Sequence, residues 1–101
     1  MNDDARKITI EFENNATKLF SYLYNQFDIA THYLDRQKDE NVFQQSAAQY
    51  TFAFKQQLTI IALRLIEDNK LADVNSSSIQ LMLTQQVEKF VNEFRQKTKK
   101  M

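Results

Sequence analysis

The sequence predicts an all-α protein, an antiparallel bundle of three long helices forming a single domain over residues 1–101. Two observations carry that prediction. The chain has neither glycine nor proline in 101 residues, where average usage would place about a dozen of the two together. Without them nothing reaches φ > 0 cheaply or pre-sets a tight turn, which argues against hairpins and β-rich folds. The second observation is that apolar residues recur every three or four positions along most of the chain, the period of an amphipathic helix.

The first helix is expected to start after Asp3 or Asp4, either of which can accept hydrogen bonds from the free N–H groups of a first turn. Its stripe is Ile8, Phe12, Ala16, Leu19, Leu23, Phe27, Ala30 and Leu34, widened by Phe20 and Tyr33. The stripe passes through Asn25–Asp28 in phase, so one helix of about 50 Å is expected. The alternative is a break near residues 25–28, giving a four-helix bundle. Residues 35–41, DRQKDEN, contain no apolar side chain and form the first turn, with Asp39 or Asn41 capping the second helix.

The second helix is expected to run to about Asp68 on a stripe of Phe43, Ala47, Tyr50, Phe54, Leu58, Ile61 and Leu65. It carries a second apolar face as well, made by Phe52, Ile60 and Leu63 with Ala53 beside them. Lys55, Gln56, Thr59 and Arg64 interrupt or border that face. Residues 69–76 form the second connection, from which Leu71 and Val74 are expected to tuck back onto the bundle. Ser77 and Gln80 have the spacing of a capping box for the third helix. That helix shows Ile79, Leu83, Val87, Phe90 and Phe94 on one face and ends in Arg95, Lys97, Lys99 and Lys100, cations placed where the helix dipole favours them.

Composition excludes several function classes. With 43% hydrophobic and 26% charged residues the chain is expected to fold rather than stay disordered. No cysteine means no disulfide, thiolate nucleophile or thiolate metal site. MNDDARK is not followed by an apolar signal core, and no apolar run approaches the roughly 20 residues of a membrane span. A cytoplasmic location follows by elimination.

No catalytic, cofactor or metal site can be assembled from the residues. Phosphate-loop and dinucleotide fingerprints need glycine. The only histidine, His32, projects to the polar side of the first helix, where an exposed histidine without a role is the simpler reading. HExxH and the paired Glu-x-x-His of di-metal bundles are absent. Glu11 and Glu13 lie about 200° apart on a helix and make no dyad. Asp35 and Asp39 sit at a helix end, where solvated acids are ordinary. An enzyme would need a pocket near Tyr22, His32 and Tyr33. The expectation is that the chain is not an enzyme and binds no cofactor.

Net charge is zero, but it divides into about −3 over residues 1–50 and about +3 over residues 51–101. Lys97, Lys99 and Lys100 are therefore candidate anion-binding residues. The simpler reading is a helix end kept soluble by lysine. Nucleic acid is disfavoured as a partner, because aromatics do not interleave with the basic residues.

What remains is the second apolar face. Burying Phe52, Ile60 and Leu63 would contribute roughly 5–9 kcal/mol at about 1.5–3 kcal/mol each. Cover is thus expected, either from the other two helices or from a second chain. The resulting expectation is a non-enzymatic protein–protein interaction module (a small adaptor, inhibitor or regulatory subunit), self-associating as a homodimer through Phe52, Ile60 and Leu63. The alternatives are a bacterial immunity-type or inhibitor protein acting on a toxin or membrane-complex partner, and a nucleic-acid accessory protein using the basic C-terminus. No motif in the chain matches the immunity-type proteins.

Overall fold

In the computed structural model, which describes residues 2–35, 37–68 and 77–99 (the backbone alone at 2–5, 77 and 78), the chain forms three helices. They are α1 (Asn2–Thr31), α2 (Glu40–Asp68) and α3 (Ser77–Lys99), with no strand among the described residues. Contacts between helices fix their directions. Phe27 meets Phe43 and Tyr50 while Phe20 meets Phe54, so α1 and α2 run antiparallel. Thr9 meets Met82, Phe12 meets Phe90 and Tyr24 meets Phe94, so α1 and α3 run parallel. The up-down-up bundle is a rod of 53 × 18 × 18 Å.

α1 is unbroken through residues 25–28, which removes the four-helix alternative. Its ends differ from those expected. It begins at Asn2, placing Asp3 and Asp4 within the first turn rather than ahead of it. It stops at Thr31, before Leu34. Thr31 is buried and its hydroxyl donates to the Phe27 carbonyl at 2.8 Å. The Leu34 N–H then reaches back only to the Thr31 carbonyl, closing a turn. Tyr33, read as part of the apolar stripe, is 80% exposed beyond the helix end.

Asp35 and Asp39 organise the connection that follows. The Asp35 carboxylate accepts the Gln37 N–H at 2.9 Å and the Lys38 N–H at 3.4 Å. The Asp39 carboxylate accepts the Asp35 N–H at 3.1 Å, and the Asp39 carbonyl takes the Phe43 N–H as α2 begins. Asp39, rather than Asn41, therefore stands at the start of α2. Side-chain acceptors do here what glycine does in other short connections. The second connection, with Leu71 and Val74, and the capping side chain of Ser77 lie outside the described residues.

The core is aromatic at its centre. Phe20, Phe54 and Phe94, one from each helix, meet with ring centroids 4.9–5.5 Å apart, Phe54 stacked on Phe94 and Phe20 edge-on to both. Tyr24 extends the cluster against Phe27 and Phe94, so it belongs to the core edge although it lies off the main stripe of α1. Aliphatic residues continue the core along the rod: Ile8, Ala16, Leu23, Leu58, Leu65, Leu83 and Val87. Thr51, Ala62, Val91 and Thr98 are buried too, although none belongs to the apolar stripes read from sequence.

The second apolar face of α2 receives no full cover from α1 or α3. Phe52 is 62%, Ile60 50% and Leu63 55% exposed in the protomer. The cover expected from the other two helices is therefore not provided, which leaves a second chain as the other expected source. Each side chain already keeps near half its surface against neighbouring atoms, so exposure forfeits far less than full transfer to water.

Candidate functional site

Two features of α2 meet at Phe52. The first is its solvent face. Phe52 and Leu63 are eleven residues apart and project within about 20° of each other, with Ile60 within about 80° of Phe52. Val42, also exposed, continues the line toward the N-terminus. Between Asn41 and Leu63 the only charged residue on this helix is Lys55. The exposed side chains interleaved with the apolar ones are Gln45, Gln49, Gln56 and Thr59. A free-standing surface helix normally turns charge toward water; between Asn41 and Leu63 this one turns only Lys55.

The second feature is a groove of about 730 Å³ between the N-terminal half of α2 and the C-terminal half of α3. Its floor is Phe43, Ala47, Thr51, Val91 and Thr98, and Phe52 stands at its edge. The two threonine hydroxyls are satisfied within their own helices, Thr51 donating to the Ala47 carbonyl at 2.7 Å and Thr98 to the Arg95 carbonyl at 2.8 Å. Neither asks a polar group of an occupant. Lys55, Arg95, Lys99 and Glu40 form the polar rim. Lys55 lies 3.7 Å from Glu88, Arg95 donates to the Asn92 side chain at 3.2 Å, and Glu40 accepts from Gln44 at 2.9 Å. Among the described residues neither Arg95 nor Lys99 has an acidic partner.

Of the candidate anion-binding lysines, Lys97 and Lys99 do not come together. Lys97 lies over the Tyr24 ring at 4.4 Å and the Phe20 ring at 5.6 Å, beside a cleft shared with Asn25 and Asp28. Lys99, two residues on and so about 200° round the helix, lines the α2–α3 groove instead. Lys100 lies outside the described residues. Burial, and secondarily the negative charge of Asp28, raise the Tyr24 phenol above its ordinary value of 10.0. Tyr22, His32 and Tyr33 are all exposed. Among the described residues no three His, Cys, Asp or Glu side chains group so as to hold a metal ion. No described helix is long and apolar enough to cross a membrane.

Comparison with known protein families, with curated proteins and with solved structures found no match. Chemistry alone must therefore carry the functional reading. The groove was not foreseen from the sequence. Its signal was present in the small residues Ala47, Ala48 and Thr51, which leave space where larger side chains would have closed α2 onto α3.

Proposed function

We propose that the chain is a non-enzymatic protein–protein interaction module that self-associates through the solvent face of α2. The supporting observation is the uncharged exposed line Val42, Phe52, Ile60 and Leu63. Exposed apolar surface of this kind, rimmed by neutral polar residues, is what protein interfaces use. Two copies of such a face meet without like-charge repulsion, as a two-fold interface requires. If α2 packs antiparallel on its copy about a centre between Gln56 and Thr59, Phe52 of one protomer lies opposite the partner's Leu63, and Ile60 flanks the pair. A cytoplasmic setting belongs to the same proposal, since a chain without cysteine gains nothing from an oxidising compartment.

Solution mass tests it. A dimer has twice the protomer's 12.0 kDa. Leu63→Asp, which places a carboxylate opposite the apolar ring of Phe52 across the two-fold interface, should return the mass to that of one protomer with helicity retained. Wild-type protein with the mass of one protomer at every concentration, or an undiminished dimer in Leu63→Asp, would contradict the assignment.

A further inference from the structure

We propose that the groove between α2 and α3 receives an acidic amphipathic helix from a partner protein, so that the three-helix bundle becomes locally a four-helix one. This rests on the reading of the chain as a protein-binding module but uses different residues, Arg95 and Lys99 rather than Ile60 and Leu63. Three observations define the occupant. The floor is apolar with its threonine hydroxyls turned inward, so it accepts apolar side chains. Ala47 in the floor and Ala48 beside it are small, which lets a neighbouring backbone approach closely. The groove's stretch of α2 from Glu40 to Lys55 is about 22 Å long at 1.5 Å per residue, or about four helical turns. A groove of this length and lining fits one apolar helical face with anchors at i, i+3 or i+4, and i+7.

Charge selects among such helices. Arg95 and Lys99 stand on the α3 rim with no acidic partner among the described residues, and Lys55 on the opposite rim is shared with Glu88. The one carboxylate in the lining, Glu40, sits at the α2 N-terminus. Carboxylates flanking the apolar stripe of the incoming helix would meet Arg95 and Lys99, with guanidinium and carboxylate suited to bidentate pairing. A basic helix would meet like charge along the α3 rim. A second copy of this chain is the lesser fit, since the line it offers from α2 is neutral.

The test uses two helical peptides about four turns long with the same leucine stripe, one flanked by glutamate and the other by lysine, titrated into isotopically labelled protein. The acidic peptide should shift the amides of Ala47, Ala48, Thr51, Val91 and Thr98, bind more weakly as salt rises, and outbind the basic peptide. Arg95→Glu with Lys99→Glu, both at exposed positions, should weaken it about tenfold with helicity unchanged, and should improve binding of the basic peptide. The proposal is overturned if neither peptide shifts groove resonances, if both bind equally, if the shifts fall on Ile60 and Leu63, or if the Val91 and Thr98 amides on the α3 side of the groove move on concentrating the protein alone. Peptide binding in a chain that stays monomeric would remove the α2 self-association reading and leave the groove assignment standing. Self-association through Leu63 with an unresponsive groove would do the reverse.

Discussion

Phe52 and Phe54 sit two residues apart on α2 in opposite environments, so their alanine variants should separate core from surface. Phe54 is fully buried, stacked on Phe94 at 4.9 Å and edge-on to Phe20 at 5.5 Å. Truncating a buried phenylalanine costs about 3–5 kcal/mol through lost transfer energy and the cavity left behind. With a urea slope of about 1.5 kcal/mol/M, the midpoint falls by roughly 2–3 M. A domain of this size has about 5–15 kcal/mol to lose, so Phe54→Ala lies near the edge of folding. Phe54→Leu, which keeps most of the volume and loses the ring contacts, should cost about 1–2 kcal/mol. Phe52 has only about 38% of its surface removed from water, the complement of its 62% exposure. At about 1.5–3 kcal/mol for full burial, truncation loses about 1 kcal/mol or less, and alanine's better helix propensity returns up to about 0.5 kcal/mol. Urea melts followed by circular dichroism on dilute protein should therefore show Phe52→Ala almost at wild type. At high concentration a cost should emerge for Phe52→Ala, because association that stabilises the wild type is weakened; the Phe54 penalty should not grow. Equal costs for the two alanine variants in dilute protein would refute the placement of these side chains.

Other substitutions probe separate parts of the account. Gln86 has a buried side-chain oxygen with no partner among the described residues; Gln86→Leu should raise stability by about 1 kcal/mol in the same urea assay, and a loss would mean the amide is satisfied. Asp35→Ala removes the acceptor for two turn N–H groups and should cost about 1 kcal/mol; Asp35→Asn, which keeps the acceptor, should recover most of it. The raised phenol of Tyr24 makes the neutral form the one the fold favours. Stability from this group is complete below the ordinary value of 10.0 and falls as pH rises through the higher folded value. Ultraviolet titration should show a tyrosine signal above the ordinary value of 10.0 disappear in Tyr24→Phe. In Asp28→Asn it should move only part of the way back, because burial is the larger cause; a complete return would make the charge dominant.

The architecture was legible in the sequence because helices announce themselves by period, and nothing in this chain competes with that signal. The stripe through Asn25–Asp28 stayed in phase, and α1 is accordingly continuous. Where the pattern misled, the cause was tertiary. Leu34 and Tyr33 continue the period of α1, but the helix stops at Thr31 and the turn built by Asp35 and Asp39 follows, leaving Leu34 half-buried and Tyr33 exposed. Val91 and Ala62 are buried because α2 packs against α3 as well as α1, and a single-helix stripe cannot anticipate where two neighbours leave a gap. Thr51 and Thr98 read as polar yet are buried, since each hydroxyl finds a carbonyl on its own helix. Phe52, Ile60 and Leu63 were legible as a separate face; that the protomer leaves them exposed was not, because periodicity reports where apolar residues point and not what stands opposite. Lys97 and Lys99 are close in sequence but are separated by the helix they share, one over Tyr24 and the other in the groove.

The α2 face is tested most directly by methyl resonances followed through a dilution series. The Ile60 and Leu63 methyls should shift progressively as protein concentration falls, while those of the buried Leu58 and Leu83 hold still. Ile60 and Leu63 signals that stay fixed from concentrated to dilute solution would show that nothing leaves this surface on dilution, contrary to self-association through α2.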